Sequence, residues 1–250
     1  MAEEHLFSII TVTYNAAGVI KPTLESVKEQ SMDDYEMLVI DGASKDDTVA
    51  IAKSAGIADM VVTSEPDHGL YDAMNKGIRR AKGDYLIFLN AGDAFATASS
   101  LAEIACMSES LPGIIYGQTQ IVNAERKVIG RRHLTAPKNL TADSFKRGML
   151  VCHQAFIVRR DIAPQYDLKY RFSADYDWCI RCLKASPSNV YVGDEPIISY
   201  LNDGMTGDNH SASLHERFEI MCRNYGYIPT VLRHISFIPR YIRQKFRKNH

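Results

Sequence analysis

An alternation in the first hundred residues limits the possible folds more than any other feature of the chain. Short β-rich runs are separated by helical patterns, and three of the runs end in polar clusters. Leu6 to Thr13 reads as a strand, Pro22 to Gln30 as a helix, Glu36 to Ile40 as a strand, Asp47 to Ser54 as a helix and Met60 to Thr63 as a third strand. Next, Leu70, Ala73, Met74, Gly77, Ile78 and Ala81 fall at the spacing of one buried helical stripe, with Asp72, Asn75, Lys76, Arg79 and Arg80 opposite. Gly83 stops that helix, and Tyr85 to Leu89 is a nearly continuous apolar run, as expected of a strand covered on both faces. Alternation of this kind predicts an α/β fold built on a parallel sheet.

In open sheets of this class the ligand crevice lies beyond the carboxyl ends of the strands. The clusters Thr13-Tyr14-Asn15, Asp41-Gly42-Ala43-Ser44 and Asn90-Ala91-Gly92-Asp93 all fall at such ends, so they should converge on one sheet edge. The glycine-rich dinucleotide, P-loop and nucleophile-elbow motifs are absent, which removes the main support for those three chemistries.

Past residue 110 the texture changes. GIIYGQTQIV and KVIGRRHL read as antiparallel strands, a helix is expected near Ala174 to Lys184, and VYVGDEPIISYL reads as strand again. No Pro/Gly/Ser-rich linker separates the halves, so residues 1–225 are expected to form one domain, its second half (111–225) covering the first (1–110). Residues 226–250 form a basic amphipathic tail: Arg233, Arg240, Arg243, Lys245, Arg247 and Lys248 alternate with apolar side chains. The 250 residues are 46% hydrophobic with a net charge of -1, which gives the whole molecule no general pull toward nucleic acid. Five scattered cysteines fit reduced thiols, and the Cys179/Cys182 pair lies in a helical stretch with no second pair to complete a zinc site. A cytoplasmic protein is expected, and the tail could contact the membrane from that side.

Six stretches in order, SIITVTYNAA, LVIDGASKDDT, SEPDHGLYDAMNKGIRRAKGDYLIFLNAGD, CHQAFIVRR, SADYDWCIRCL and LNDGMTGDN, resemble the inverting family 2 glycosyltransferases of the GT-A fold. The nearest likeness is to bacterial members that build exopolysaccharide, capsule or O-antigen units, and it covers roughly residues 6 to 210. It implies a Rossmann-like mixed central sheet, a nucleoside diphosphate sugar donor, a saccharide or lipid-linked saccharide acceptor, and a divalent metal, Mn2+ or Mg2+. On this resemblance Asp41 accepts a hydrogen bond from the nucleotide base, with Thr13, Tyr14 and Asn15 around it. Asp67, Asp72, Asn75 and Lys76 line the donor side, while His153, Gln154, Gly204 and Thr206 lie toward acceptor or phosphate. Asn90-Ala91-Gly92-Asp93 stands where the family carries D-x-D, with Asn replacing the leading acid. Magnesium commonly binds through one or two carboxylates plus substrate phosphates, so Asp93 with the donor suffices, and metal and donor are expected to bind together.

Asp175 and Asp177 open the helix around Trp178. At ~100° per residue they flank its buried stripe on opposite sides, so one of them is expected to face the crevice. The resemblance favours Asp175 as the base that deprotonates the acceptor. Two rivals remain: a catalytically silent nucleotide-sugar-binding subunit, and a nucleotidyltransferase, whose Gly-rich Lys-containing loop is missing after the first strand.

Overall fold

The computed structural model describes residues 5–202 and 210–235. Its parallel half consists of β1 (Phe7–Thr13), α1 (Ile20–Lys28), β2 (Tyr35–Asp41), α2 (Thr48–Ser54), β3 (Met60–Ser64), α3 (Leu70–Arg80) and β4 (Tyr85–Phe88). Every residue of β1, β2 and β4 is buried, as near-continuous apolar runs require. Their few polar side chains are paired internally: Ser8 Oγ donates to Glu36 at 2.6 Å and Thr11 Oγ1 to the Leu89 carbonyl at 2.8 Å. Gly77 lets α3 lie directly on the sheet, since a Cβ there would come within 2.5 Å of Ile10 Cγ2.

The chain continues through β5 (Ala94–Phe95), α4 (Ser100–Ser108), β6 (Ile114–Val122), β7 (Val128–Arg131), β8 (Phe156–Arg159), α5 (Ala174–Ala185), β9 (Asn189–Leu201) and α6 (His210–Tyr225), followed by a helical segment at 227–235. One mixed sheet runs in the order β3-β2-β1-β4-β8-β6-β9-β5, with β7 hairpinned onto β6. The β1–β4 strands pair in parallel, while β8 meets β4 and β6 antiparallel. The two halves therefore share a single sheet, and one core runs from Phe7 to Met221. Cys152, Cys179 and Cys182 are buried free thiols within it. No helix among the described residues is long and apolar enough to cross a membrane.

The α3 stripe is rotated from the sequence expectation. Tyr71 and Asn75 are buried whereas Leu70 is exposed, because Asn75 forms bonds to a neighbouring backbone, described below, that a count of apolar residues does not register.

Candidate active site

Register alone aligns the strand ends. Thr13 of β1 pairs with Asp41 of β2, and Asp41 with Ser64 of β3. Asp41 is fully buried at that edge. Oδ1 accepts from Thr13 Oγ1 (2.9 Å) and Ser44 Oγ, and Oδ2 from the Ser44 amide (2.9 Å) and Ser64 Oγ (2.7 Å). Burial pushes its pKa up, but these four bonds together outweigh burial and hold the carboxyl below the ordinary range. All four acceptor positions of the carboxylate are filled from within the chain, so an incoming hydrogen-bond donor has to displace one of these groups. Asn15 locks the neighbouring loops: its amide donates to Ser44 Oγ, and its Oδ1 accepts from the Lys45 amide. Tyr14 stands out at 62% exposed on the same rim. Asp67 lies across Gly42, where a Cβ would meet its carboxylate at 2.4 Å, and its Oδ1 accepts from the Gly69 amide that opens α3. Asp72 accepts from the His68 amide, and Lys76 is occupied by Glu65 and the Pro66 carbonyl.

The turn after β4 is built around Gly92 at φ +97, a left-handed conformation that glycine adopts without strain. Thr23 Oγ1 accepts from the Gly92 amide at 2.9 Å. Asp93 is 4% exposed: Oδ1 accepts from the Leu201 amide (2.9 Å) and Oδ2 from Gln154 Nε2 (2.6 Å). Burial raises its pKa to about 6 despite those bonds and the nearby Arg126 charge. Asn90 Oδ1 is buried without a hydrogen-bond partner among the described residues. An orphaned amide oxygen close to a desolvated carboxylate is a donor set of hard oxygens, which suits Mg2+ or Mn2+. The residues therefore fit the metal, although no cluster of three His, Cys, Asp or Glu occurs among the described residues.

Asp175 opens α5 and is partly exposed. Its Oδ1 accepts from Tyr71 Oη (3.2 Å) and from the Tyr176 amide (2.8 Å). Its Oδ2 has no partner among the described residues. Burial first, and then the Asp175 charge, push the Tyr71 hydroxyl well above its ordinary pKa, so it remains a donor. Tyr71 stacks on Tyr166 (5.5 Å), Tyr166 stacks on Trp178 of α5 (4.9 Å), and Phe88 of β4 meets Trp178 edge-on. This aromatic ladder fixes α5, and with it Asp175, against the parallel strands.

Several expected site residues lie elsewhere. Asp177 is fully buried and paired with Arg181 Nε at 2.6 Å, which leaves Asp175 as the member of the pair that meets solvent. Asn75, 2% exposed, donates to the Tyr166 carbonyl (3.1 Å) and accepts from the Tyr166 amide (2.7 Å), so both ends of its amide are bound to backbone. His153 is buried against Phe88 and Trp178 and bonded to Tyr166 Oη; burial lowers its pKa to about 4, so it is neutral. Gln154, its neighbour, is the one that touches Asp93. Gly204 and Thr206 lie outside the described residues. Arg126, in the β6–β7 turn, escaped the sequence reading altogether; no spacing links it to residue 93, yet Nη1 donates to the Gly92 carbonyl at 2.5 Å.

Two chains of contact thus meet at Asp175. One runs from Asp41 through Ser64 and the 64–69 loop to Tyr71, the other from Asp93 through Gln154, His153 and Tyr166. Glycosyl transferase family 2 matches the chain over residues 8–166, from β1 to the loop that carries Tyr166. The chain belongs to this family. A PGL/p-HBAD biosynthesis glycosyltransferase of Mycobacterium tuberculosis is 36% identical over 186 residues, covering 71% of this glycosyltransferase and 69% of the relative. In fold, it is similar to S. aureus TarS 1-349 in complex with UDP-GlcNAc, with TM-score 0.73, 16% identity, and 92% and 73% of the two chains covered. It is also similar to the mannosyltransferase PcManGT from Pyrobaculum calidifontis in complex with GDP-Man and Mn2+, with TM-score 0.63, 15% identity, and 93% and 70% covered. The GT-A fold and glycosyltransferase family expected from the sequence are both borne out.

Proposed function

We propose that this glycosyltransferase moves a sugar from a nucleoside diphosphate sugar to an acceptor hydroxyl with inversion, in the synthesis of a bacterial surface polysaccharide. The observation that carries the reading is Asp175: one carboxylate oxygen is held by Tyr71 and the Tyr176 amide, the other is left without a partner among the described residues. A carboxylate anchored through one oxygen can take the acceptor proton with the second as the acceptor oxygen attacks the anomeric carbon. The bond to the diphosphate breaks on the opposite face, which inverts the centre, and Asp175 then passes the proton to solvent. General-base help of this kind is typically worth ~10²–10⁴ in rate.

The donor's nucleoside would lie on the Thr13, Tyr14, Asn15 and Asp41 rim, with Tyr14 offering an exposed ring for the base. Asp67 and Asp72 hold the loop and helix start that border this rim. Asp93, oriented by Gln154, and Asn90 would hold the divalent metal, which when bound supplies Lewis-acid stabilisation of the departing diphosphate. PcManGT, whose structure holds GDP-Man and Mn2+, and TarS, whose structure holds UDP-GlcNAc, support this class of donor and metal. Thermal-shift screening of nucleotide sugars with Mn2+ or Mg2+ tests the reading, since a bound donor stabilises the fold by mass action. The expected result is a shift with at least one donor, enlarged by the metal, and Asp93→Ala should remove that enlargement; no shift with any nucleotide sugar would count against it.

The acceptor we favour is a lipid-linked saccharide met at the cytoplasmic face of the membrane. The 227–235 segment leaves Tyr227, Ile228, Leu232 and Ile235 exposed, and no acidic residue follows Glu219. Apolar side chains beside a run of cations suit an anionic bilayer surface. Co-sedimentation with phosphatidylglycerol vesicles but not phosphatidylcholine vesicles is the expected outcome.

A further inference from the structure

The Asn90-to-Asp93 turn has one acid fewer than the D-x-D motif it resembles, and a cation stands beside it. The turn at 123–127 is tightly closed: the Arg126 amide donates to the Asn123 carbonyl, and the Lys127 amide to Asn123 Oδ1. Arg126 itself is held at φ +63, a conformation that disfavours a side-chain-bearing residue. The β6–β7 register shifts between Ile121 and Val122, leaving Ile129 of β7 as an extra residue just past this turn, and bulges of this kind re-aim side chains. The outcome is a guanidinium delivered to the Gly92 carbonyl through Nη1 alone. Its remaining N–H groups have no protein partner among the described residues and are not buried. The β9 end lies at the same turn, through the Leu201 amide on Asp93 and the Asn202 amide on the Val122 carbonyl.

We infer that Arg126 is a diphosphate-binding residue, a resident cation that pairs with the donor's phosphates beside Asp93 and makes nucleotide binding only partly dependent on metal. The inference rests on the nucleotide-sugar reading above. A carboxylate alone at this turn would repel a diphosphate until a metal arrived. With Asn90 neutral and Arg126 charged, the turn's own charge is balanced and the phosphates meet a net attraction through the unspent guanidinium donors. Guanidinium is charged at every working pH and can grip phosphate through two parallel N–H bonds, which a lysine cannot. As the sugar departs, negative charge grows on the diphosphate, and a fixed cation at that position stabilises the leaving group without reorganising.

Calorimetric titration of UDP and of GDP into the wild type, Arg126→Gln, Arg126→Lys and Arg126→Gly, each in EDTA and in Mn2+, tests this. Glycine tolerates the positive φ, so that variant removes the guanidinium while relieving the turn. The wild type in EDTA should bind at least one of the nucleotides within about tenfold of its affinity in Mn2+. Arg126→Gln and Arg126→Gly should lose about thirtyfold or more in EDTA and markedly less in Mn2+, with Arg126→Lys between them. Wild-type binding seen only with Mn2+, or unchanged EDTA affinity in both Arg126→Gln and Arg126→Gly, would overturn the role of Arg126 while leaving the donor reading intact. Absence of UDP and GDP binding by the wild type in either condition would overturn both.

Discussion

Replacing Asn75 by alanine separates a structural residue from a ligand. Its side chain bridges the amide and carbonyl of Tyr166 at 2.7 and 3.1 Å in an almost fully buried setting. Alanine removes two hydrogen bonds, each worth a net ~1 kcal/mol, and strands two buried backbone groups at ~1–3 kcal/mol apiece where water does not reach them. Partial relaxation brings the expected loss to about 2–5 kcal/mol, or roughly 4–20 °C in Tm for a chain of this size. Because Tyr166 stacks between Tyr71 and Trp178, the released loop also loosens the ladder behind Asp175. Turnover should therefore fall while nucleotide affinity stays within about threefold, a change of under ~1 kcal/mol. Urea unfolding and calorimetry with UDP or GDP measure the two quantities independently. Stability within ~0.5 kcal/mol of wild type, the range of an ordinary surface change, together with a tenfold loss of nucleotide affinity would refute the argument and make Asn75 a donor ligand.

Two further outcomes follow from the same geometry. Asp93 has its folded pKa raised to about 6 by burial, so the folded state holds this proton more tightly than the unfolded chain. Its contribution to stability is fully present below about pH 4 and is lost as pH rises to about 6, a change of ~3 kcal/mol. In EDTA, the Asp93→Asn variant should gain that amount relative to wild type between pH 4 and 7, and parallel pH profiles of the two proteins would contradict it. Tyr71→Phe removes one of the two bonds that anchor Asp175. Steady-state kinetics should show kcat down about three- to tenfold at nearly unchanged donor KM, equivalent to ~0.7–1.4 kcal/mol.

The parallel half was legible because β1, β2 and β4 are buried on both faces and each turn is local. The hydrophobic runs and the polar strand ends therefore state the topology directly. The placement of Asp41 and Asp93 at the strand ends followed from that. Asn75 was misread because periodicity assigns faces by polarity, and a buried amide satisfied by backbone looks like a surface residue. Helix α6 was missed because few of its residues enter the core, Ile220 and Met221 among them, and this leaves little apolar stripe to count. The choice between Asp175 and Asp177 depends on which flank of α5 is buried when the helix docks; the Asp177–Arg181 pair, four residues apart on one helix, is local and follows from spacing alone. Arg126 was invisible for a similar reason: a hairpin turn some thirty residues away in sequence reaches the Gly92 carbonyl only after β6 has joined the sheet.

The most direct test of the account is Asp175→Asn, compared with wild type in two measurements on one competent donor: calorimetric donor binding, and release of the nucleoside diphosphate in the presence of acceptor. The account predicts donor affinity within about threefold, with turnover down ~10²–10⁴, the usual worth of a general base. Turnover within twofold of wild type would contradict it, as would a loss of binding in proportion to the loss of rate.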